Sequence, residues 1–172
     1  PVISHRPDNI EYINTGEEFV FNFQAFDAND NQNMFWLLNA GPKGMILNKE
    51  NQLFYIGQNH DYNTYIIEAT DSIDTAVFYG QIYVNDIAKI TSSPPEVIQL
   101  GEELNYSIEV EDRNKQSPNK KEKINTFIHS VIKGPQKLKL INNRLQWKPT
   151  KEDIGDHDIQ IYINNGLDEL EH

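Results

Sequence analysis

The sequence predicts an all-β chain: two tandem β-sandwich domains of about seven strands each. Three observations carry this. Apolar and polar residues alternate at period two in the patterned segments, as in strands with one buried face. Clusters of Gly, Pro, Asn and Asp fall roughly every 8–12 residues, as turns between short strands require. The first half of the chain also recurs in the second, which decides the architecture.

The repeat sets the domain limits. "ISHRPDNIEYINTGEEF" from Ile3 and "ITSSPPEVIQLGEEL" from Ile90 share an Ile, a Ser or Thr, a Pro and a Gly-Glu-Glu-apolar step. Gly16 aligns with Gly101, and Asp27 with Asp112, at an offset of 85. After a shift, "GPKGMIL" from Gly41 answers "GPQKLKL" from Gly134, and "NQLFYIG" from Asn51 answers "NRLQWKP" from Asn143. "YIIEATDS" from Tyr65 answers "IQIYINNG" from Ile159. The domains are therefore 1–87 and 88–169, and the second carries an insertion from Asn114 to Asn125.

The first copy ends in "TAVFYGQIYVND", Thr75 to Asp86, and the second stops before any equivalent of that segment. The second sandwich is expected to lack its last strand, and an unfilled edge of that kind invites pairing with another chain. Pro1 opens the chain abruptly, as a piece of a longer protein would. Leu170, Glu171 and His172 read like the start of a purification tag and are left out of the fold.

The strands follow in order. Phe19, Phe21, Phe23 and Ala25 alternate with Val20, Asn22, Gln24 and Phe26. Phe78, Gly80, Ile82 and Val84 alternate with Val77, Tyr79, Gln81 and Tyr83. In the second copy Leu104, Tyr106, Ile108 and Val110 form one such series, and Ile159, Ile161 and Ile163 another. Gly41-Pro42 and Gly134-Pro135 mark turns. Trp36, Tyr55 and Trp147 are the expected large core residues, the last two at one repeat position. A module of about 85 residues is small but buries a viable core.

Composition narrows the function. The 172 residues include no cysteine, which removes disulfides, thiolate metal sites and cysteine nucleophiles. No run of ~18 apolar residues crosses a membrane. A net charge of −11 argues against nucleic acid, which needs a basic face. The charge is uneven: residues 1–87 hold 3 Lys and Arg against 12 Asp and Glu, and residues 88–172 hold 12 against 14. The acidic first half favours cation binding or plain solubility.

No catalytic constellation stands out, and the chain reads as a non-enzyme. His5, His60, His129 and His157 are scattered without metal-ligand spacing, and no G-x-S-x-G, P-loop or dinucleotide motif occurs. The carboxylate pairs Glu17–Glu18, Glu102–Glu103 and Asp153–Asp156 fall at turns or strand starts and recur between copies, as fold residues do.

The stretches "ITSSPP", "GEELNYSIEVED", "GPKGM", "LQWKPTKEDIGDHDIQIYI" and "IIEATDS" resemble the bacterial cadherin-like, or immunoglobulin-like, repeat of the dystroglycan type. The resemblance covers nearly the whole chain, twice. It implies immunoglobulin-like or cadherin-like sandwiches serving as non-catalytic adhesion, spacer or interaction modules of a larger bacterial protein. That protein would be extracellular or at the cell surface, with neighbouring repeats and a cell-surface protein or glycan as partners.

Similar modules bind calcium between repeats. Carried over, the ligands would be Glu17 or Glu18, Asp61, Asn85, Asp86, Asp112 and Asn114, since Ca²⁺ takes 6–8 oxygens from separated stretches. The match is incomplete. "QNHDY", "VNDIAKI" and "DRN" stand where the family's acidic motifs are fuller, leaving one calcium site or none. An EF-hand at "AFDANDNQ", opening on Asp27, Asn29 and Asn31, fails because Gln32 and Leu38 stand where Gly and Glu are required. The competing reading is that Asp27, Asp30, Asp71 and Asp112 cap turns.

Two further features point to partners. Tyr79 and Tyr83 lie opposite Phe78, Ile82 and Val84, and a flat tyrosine face stacks on sugar rings. That makes a carbohydrate-binding module of a secreted glycan-active enzyme the alternative, against ordinary cross-strand packing. Lys115, Lys120, Lys121 and Lys123 in the insertion form either a dock for an acidic partner or a solvated loop. "NYS" at Asn105 fits a glycosylation pattern but sits in mid-strand.

Overall fold

Period-two alternation becomes strands throughout the computed structural model, which describes residues 1–8, 10–28, 33–114, 128–165 and 168–172. The chain divides into two units. Unit 1 is Pro1–Asp86 with Asn114, and unit 2 is Ile87–Arg113 with the described residues from 128 onward. The lysines of the insertion and Asn29, Asp30, Asn31 and Gln32 lie outside the described residues.

Unit 1 opens with β1 (Val2–His5), β2 (Ile10–Asn14), β3 (Glu18–Asn22) and β4 (Gln24–Phe26). It continues with β5 (Phe35–Ala40), β6 (Ile46–Leu47), β7 (Gln52–Ile56), β8 (Asp61–Thr70) and β9 (Thr75–Asn85). One sheet has the order β2-β9-β8-β5, a second β3-β7-β6, and β1 pairs with β4. The β2–β9 pair is parallel, with Ile10 to Asn14 set against Gln81 to Asn85. The inward residues Phe19, Tyr55, Ile67, Phe78 and Ile82 form the core between the sheets. Tyr55 is fully buried, and Trp36 packs against the cluster while partly exposed.

Unit 2 comprises β10 (Lys89–Ile90), β11 (Leu104–Ser107), β12 (Val110–Glu111) and β13 (Ile128–Lys133), then β14 (Lys139–Ile141), β15 (Arg144–Trp147), β16 (Gln160–Asn164) and β17 (Glu169–Glu171). Its sheets are β11-β15-β14, β13-β16-β17 and the pair β10-β12. Leu104, Tyr106, Leu145, Trp147 and Ile161 lie in its core.

Both units hold more strands than the seven expected, partly because one continuous pattern is cut in two. The run from Glu18 to Phe26 breaks at Phe23, where β3 leaves its pairing with β7 and the chain passes to β4, paired with β1. The equivalent run breaks after Ser107, so that β11 pairs with β15 and β12 with β10. Switching sheets is how one strand serves both layers of a sandwich.

The chain end departs from expectation. Glu169 to Glu171 pair with Tyr162 to Asn164, and His172 exchanges two backbone hydrogen bonds with Ile161, 2.8 and 3.0 Å long. Leu170 and Glu171, left out as tag-like, therefore belong to a short edge strand that starts at Glu169, because β16 offers an open row of donors and acceptors. Ile159, expected within this strand, precedes it.

One turn is built alike in both copies. Gly16 and Gly101 sit at φ +85° and +96°, where a side chain is disfavoured. The following Glu17 and Glu102 each donate a backbone N–H to the carbonyls of Asn14 and Gln99, at 3.0 and 2.9 Å. Their carboxylates return to the N–H of Asn14 and Gln99, at 2.9 and 3.2 Å.

Candidate functional site

The outer face of the four-stranded sheet of unit 1 carries several exposed apolar residues among polar ones. Tyr65, Ile67 and Phe78 point into the core, so alternation turns Ile66, Glu68, Val77 and Tyr79 outward. Register sets Glu68 between Leu37 and Val77, and Ile66 between Ala40 and Tyr79. Exposure reaches 71% at Tyr79, 53% at Phe35, 52% at Leu37 and 43% at Val77. Single exposed apolar residues are ordinary, whereas several on one face, here from β5 and β9 on either side of β8, make a patch. Glu68 supplies the charge within it and accepts a 2.7 Å hydrogen bond from the Asn39 amide.

Of the two tyrosines expected to form a stacking face, only Tyr79 is exposed. Tyr83 is completely buried. It points outward from its strand, but Tyr12 and Tyr62 are its register partners on either side, with ring centroids 6.0 and 5.3 Å away. The Asn114 amide donates to its hydroxyl at 2.8 Å. The exposed aromatic residues of this face are therefore Tyr79 on β9, Tyr12 on β2 and Phe35 on β5. Sequence reading missed Phe35, Leu37 and Val77. In "FWLL" all four residues are apolar, so alternation is invisible there.

The calcium candidates are placed as follows. Glu18 is exposed at the start of β3, and Asp61 starts β8 at φ +71°. The buried Asn63 amide braces that turn by donating to the carbonyls of Asn59 and Asp61, at 2.7 and 3.1 Å. Asn85 ends β9; its amide donates to Asn14 Oδ1 at 3.2 Å, and its carbonyl accepts the N–H and hydroxyl of Thr15. The buried Asn114 side chain clamps the same strand end. Its Oδ1 accepts the Asp86 N–H at 2.8 Å, and its Nδ2 reaches the Val84 carbonyl at 3.3 Å. Asp112 belongs to unit 2, where Oδ2 accepts from the Asn165 amide at 2.9 Å. Among the described residues no three of His, Cys, Asp and Glu group so as to hold a metal ion.

The remaining acidic candidates hold backbone. Asp27 of the EF-hand-like stretch lies with Oδ2 2.6 Å from the Pro1 nitrogen. Asp71 Oδ1 accepts the N–H groups of Asp74 and Ile73, at 2.8 and 2.9 Å, and these bonds lower its pKa. Asp153 Oδ2 accepts the N–H and hydroxyl of Thr150, both at 2.8 Å, with the same effect. The Lys133 ammonium, 2.9 Å from Asp158, depresses that carboxyl in turn. Two of the four histidines singled out in the sequence lean on aromatic rings. His5 stacks on Phe21 at 4.9 Å, and His157 meets Trp147 edge-on at 5.0 Å.

Unit 2 contains a cleft of about 720 Å³ between the 94–100 segment and the 149–159 segment. Leu145, Trp147 and Ile161 are among the residues at its base. The Trp147 indole N–H is buried without a hydrogen-bond partner, which is costly for a polar group.

No family model and no curated protein matches the sequence. Solved structures do. Immunoglobulin domains 1–4 of Sidekick-1 align with 99% of this chain and 46% of theirs, at TM-score 0.62 and 15% identity. An I-band fragment from titin aligns with 99% of this chain and 62% of its own, at TM-score 0.62 and 14% identity. The eight N-terminal immunoglobulin domains of Down Syndrome Cell Adhesion Molecule align with 94% of this chain and 25% of theirs, at 0.61 and 10%. The chain thus spans a quarter to about three-fifths of these relatives' lengths. At such identities the likeness shows the fold: immunoglobulin-like β-sandwiches in tandem.

Proposed function

We propose that the chain is a pair of non-catalytic, cadherin-like interaction modules from a bacterial surface or secreted protein. In this reading the outer sheet face of unit 1 is its contact surface. The carrying observation is that Phe35 and Leu37 on β5 and Val77 and Tyr79 on β9, the two strands flanking β8, stand exposed on one sheet face. The sequence resemblance to cadherin-like repeats supports an adhesive role, as does the likeness to an adhesion molecule of tandem immunoglobulin domains. Polar side chains that look chemical in the sequence are engaged in turns and strand ends, which suits a scaffold.

The immobilised chain, presented to arrays of secreted-protein ectodomains and of glycans, tests this reading. Leu37→Asp buries a charge in any apolar contact and should lower ectodomain binding at least tenfold without moving the melting temperature. Binding indifferent to both Leu37→Asp and Tyr79→Ala overturns the assignment of this face. Exposure of Tyr79 favours a second reading, a glycan-binding module. Glycan signals lost in Tyr79→Ala, with no ectodomain bound, select it.

A further inference from the structure

The sheet edges of unit 1 are protected unequally. In its four-stranded sheet the edge strands are β2 and β5, and in its three-stranded sheet they are β3 and β6. Natural edges are blunted by a charge or by shortness, because an open row of backbone groups pairs readily with another chain. Glu11 sits within β2, Glu18 begins β3, and β6 is two residues long. β5 has neither protection. It runs for six residues, and no charged side chain occurs from Asn33 to Pro42. Among the described residues β8 is its one pairing partner. The irregularity between Leu38 and Ala40 leaves Phe35 to Leu38 in regular register.

The two ends of β5 are oppositely charged. Phe35 pairs with Thr70, the last residue of β8, so the hairpin carrying Asp71 and Asp74 lies at that end. Asp74 is exposed there. Lys43, also exposed, follows the other end in a turn closed by the Met45 N–H on the Pro42 carbonyl at 3.1 Å. A strand acidic at one end, basic at the other and uncharged between is complementary to an antiparallel copy of itself. The net charge of −11 makes copies repel at long range, so contact is favoured where charge is locally absent or opposed.

We propose that β5 pairs antiparallel with β5 of a second copy, about a two-fold axis through Trp36. Phe35 of each chain then stands opposite Leu37 of the other on the outer face, giving apolar cross-strand pairs. Lys43 of each chain is directed to the Asp71–Asp74 hairpin of the other. The contact uses the same strand on both sides, so it closes at two copies. Joining sheets at an edge buries little area, which makes the dimer weak and reversible. This inference concerns the edge of the sheet and does not rest on what its outer face binds.

Sedimentation equilibrium of the full chain, from micromolar to millimolar concentration, tests this, with circular dichroism checking the fold of each variant. A reversible monomer–dimer equilibrium is expected. Leu37→Lys should weaken the dimer about tenfold, because its cross-strand pairs with Phe35 are lost. Lys43→Glu and Asp74→Lys should each weaken it about threefold, and the two together should restore it, since the exchange reverses each contact without removing it. Tyr79→Ala, two strands from the edge, should leave the dimer unchanged, which separates this proposal from the outer-face reading. The chain has no cysteine, so disulfide capture under oxidised glutathione reads the register. A mixture of chains carrying Phe35→Cys and chains carrying Leu37→Cys should cross-link in higher yield than either alone. A monomer at every concentration overturns the proposal. So does a dimer that tolerates Leu37→Lys, one that the paired charge exchange fails to restore, or equal cross-linking in the mixture and the single species. If Leu37→Lys unfolds, the charge exchange and the cross-linking decide.

Discussion

Asp71 and Asn165 occupy the same repeat position and solve the same problem with different chemistry. Each side-chain oxygen accepts the N–H three residues on, from Asp74 at 2.8 Å and from Asp168 at 2.6 Å. The hydrogen bonds favour the charged form of Asp71 and lower its pKa. A depressed folded-state pKa gives stability that is fully present above the ordinary carboxylate value of about 4. It is lost as pH falls through the folded value. Asp71→Asn should therefore keep the turn, as Asn165 does, and flatten the acid limb of unit 1's melting curve. Asp71→Ala should lower the melting temperature at neutral pH as well; thermal melts at stepped pH read both.

Gly80 is fixed by a close approach rather than by its backbone angle. A Cβ there would overlap the Tyr65 ring, which crosses above the glycine in the core. Gly80→Ala should cost about 1–3 kcal/mol in chemical denaturation, the usual range for overpacking. Adding Tyr65→Leu should recover part of that. Asn114→Ala removes the acceptor of the Asp86 N–H and the donor to Tyr83. The expected loss is about 1–3 kcal/mol by the same measurement, because the groups it served are buried.

At the scale of elements, the alternation of Phe19 to Phe23 and of Leu104 to Ile108 was legible because a period of two is local. The break at Phe23, where the chain changes sheets, was not, since both halves alternate in the same phase. Tyr83 shows the same limit within the candidate site. Its outward direction follows from alternation, but its burial depends on Tyr12 and Tyr62, and register between distant strands leaves no mark in a local pattern. Phe35 and Leu37 were hidden by their apolar neighbours Trp36 and Leu38. Leu170 to His172 were discounted on composition, whereas an unpaired strand edge recruits backbone almost regardless of side chains. The turn at Gly16 and Glu17 was readable as a repeat, and its carboxylate's backbone role emerges only from the fold.

At the scale of the whole molecule, the units have separate cores, one around Tyr55 and Ile67 and the other around Trp147 and Ile161. Small cores of this size stabilise modestly. Calorimetry should show two transitions, with unit 2 melting first because its described sheets have at most three strands where unit 1 has a four-stranded one. Tryptophan emission assigns them, since Trp36 reports unit 1 and Trp147 unit 2. Coincident melting of both reporters would contradict this order.

The parallel pairing of β2 with β9 also bears on mechanical load. Tension that draws Ile10–Asn14 and Gln81–Asn85 apart along their length strains that row of hydrogen bonds together, in shear. Residues 95–99 of unit 2 are in no strand. A chain stretched between two surfaces should therefore yield in unit 2 first, at a lower force in single-molecule pulling.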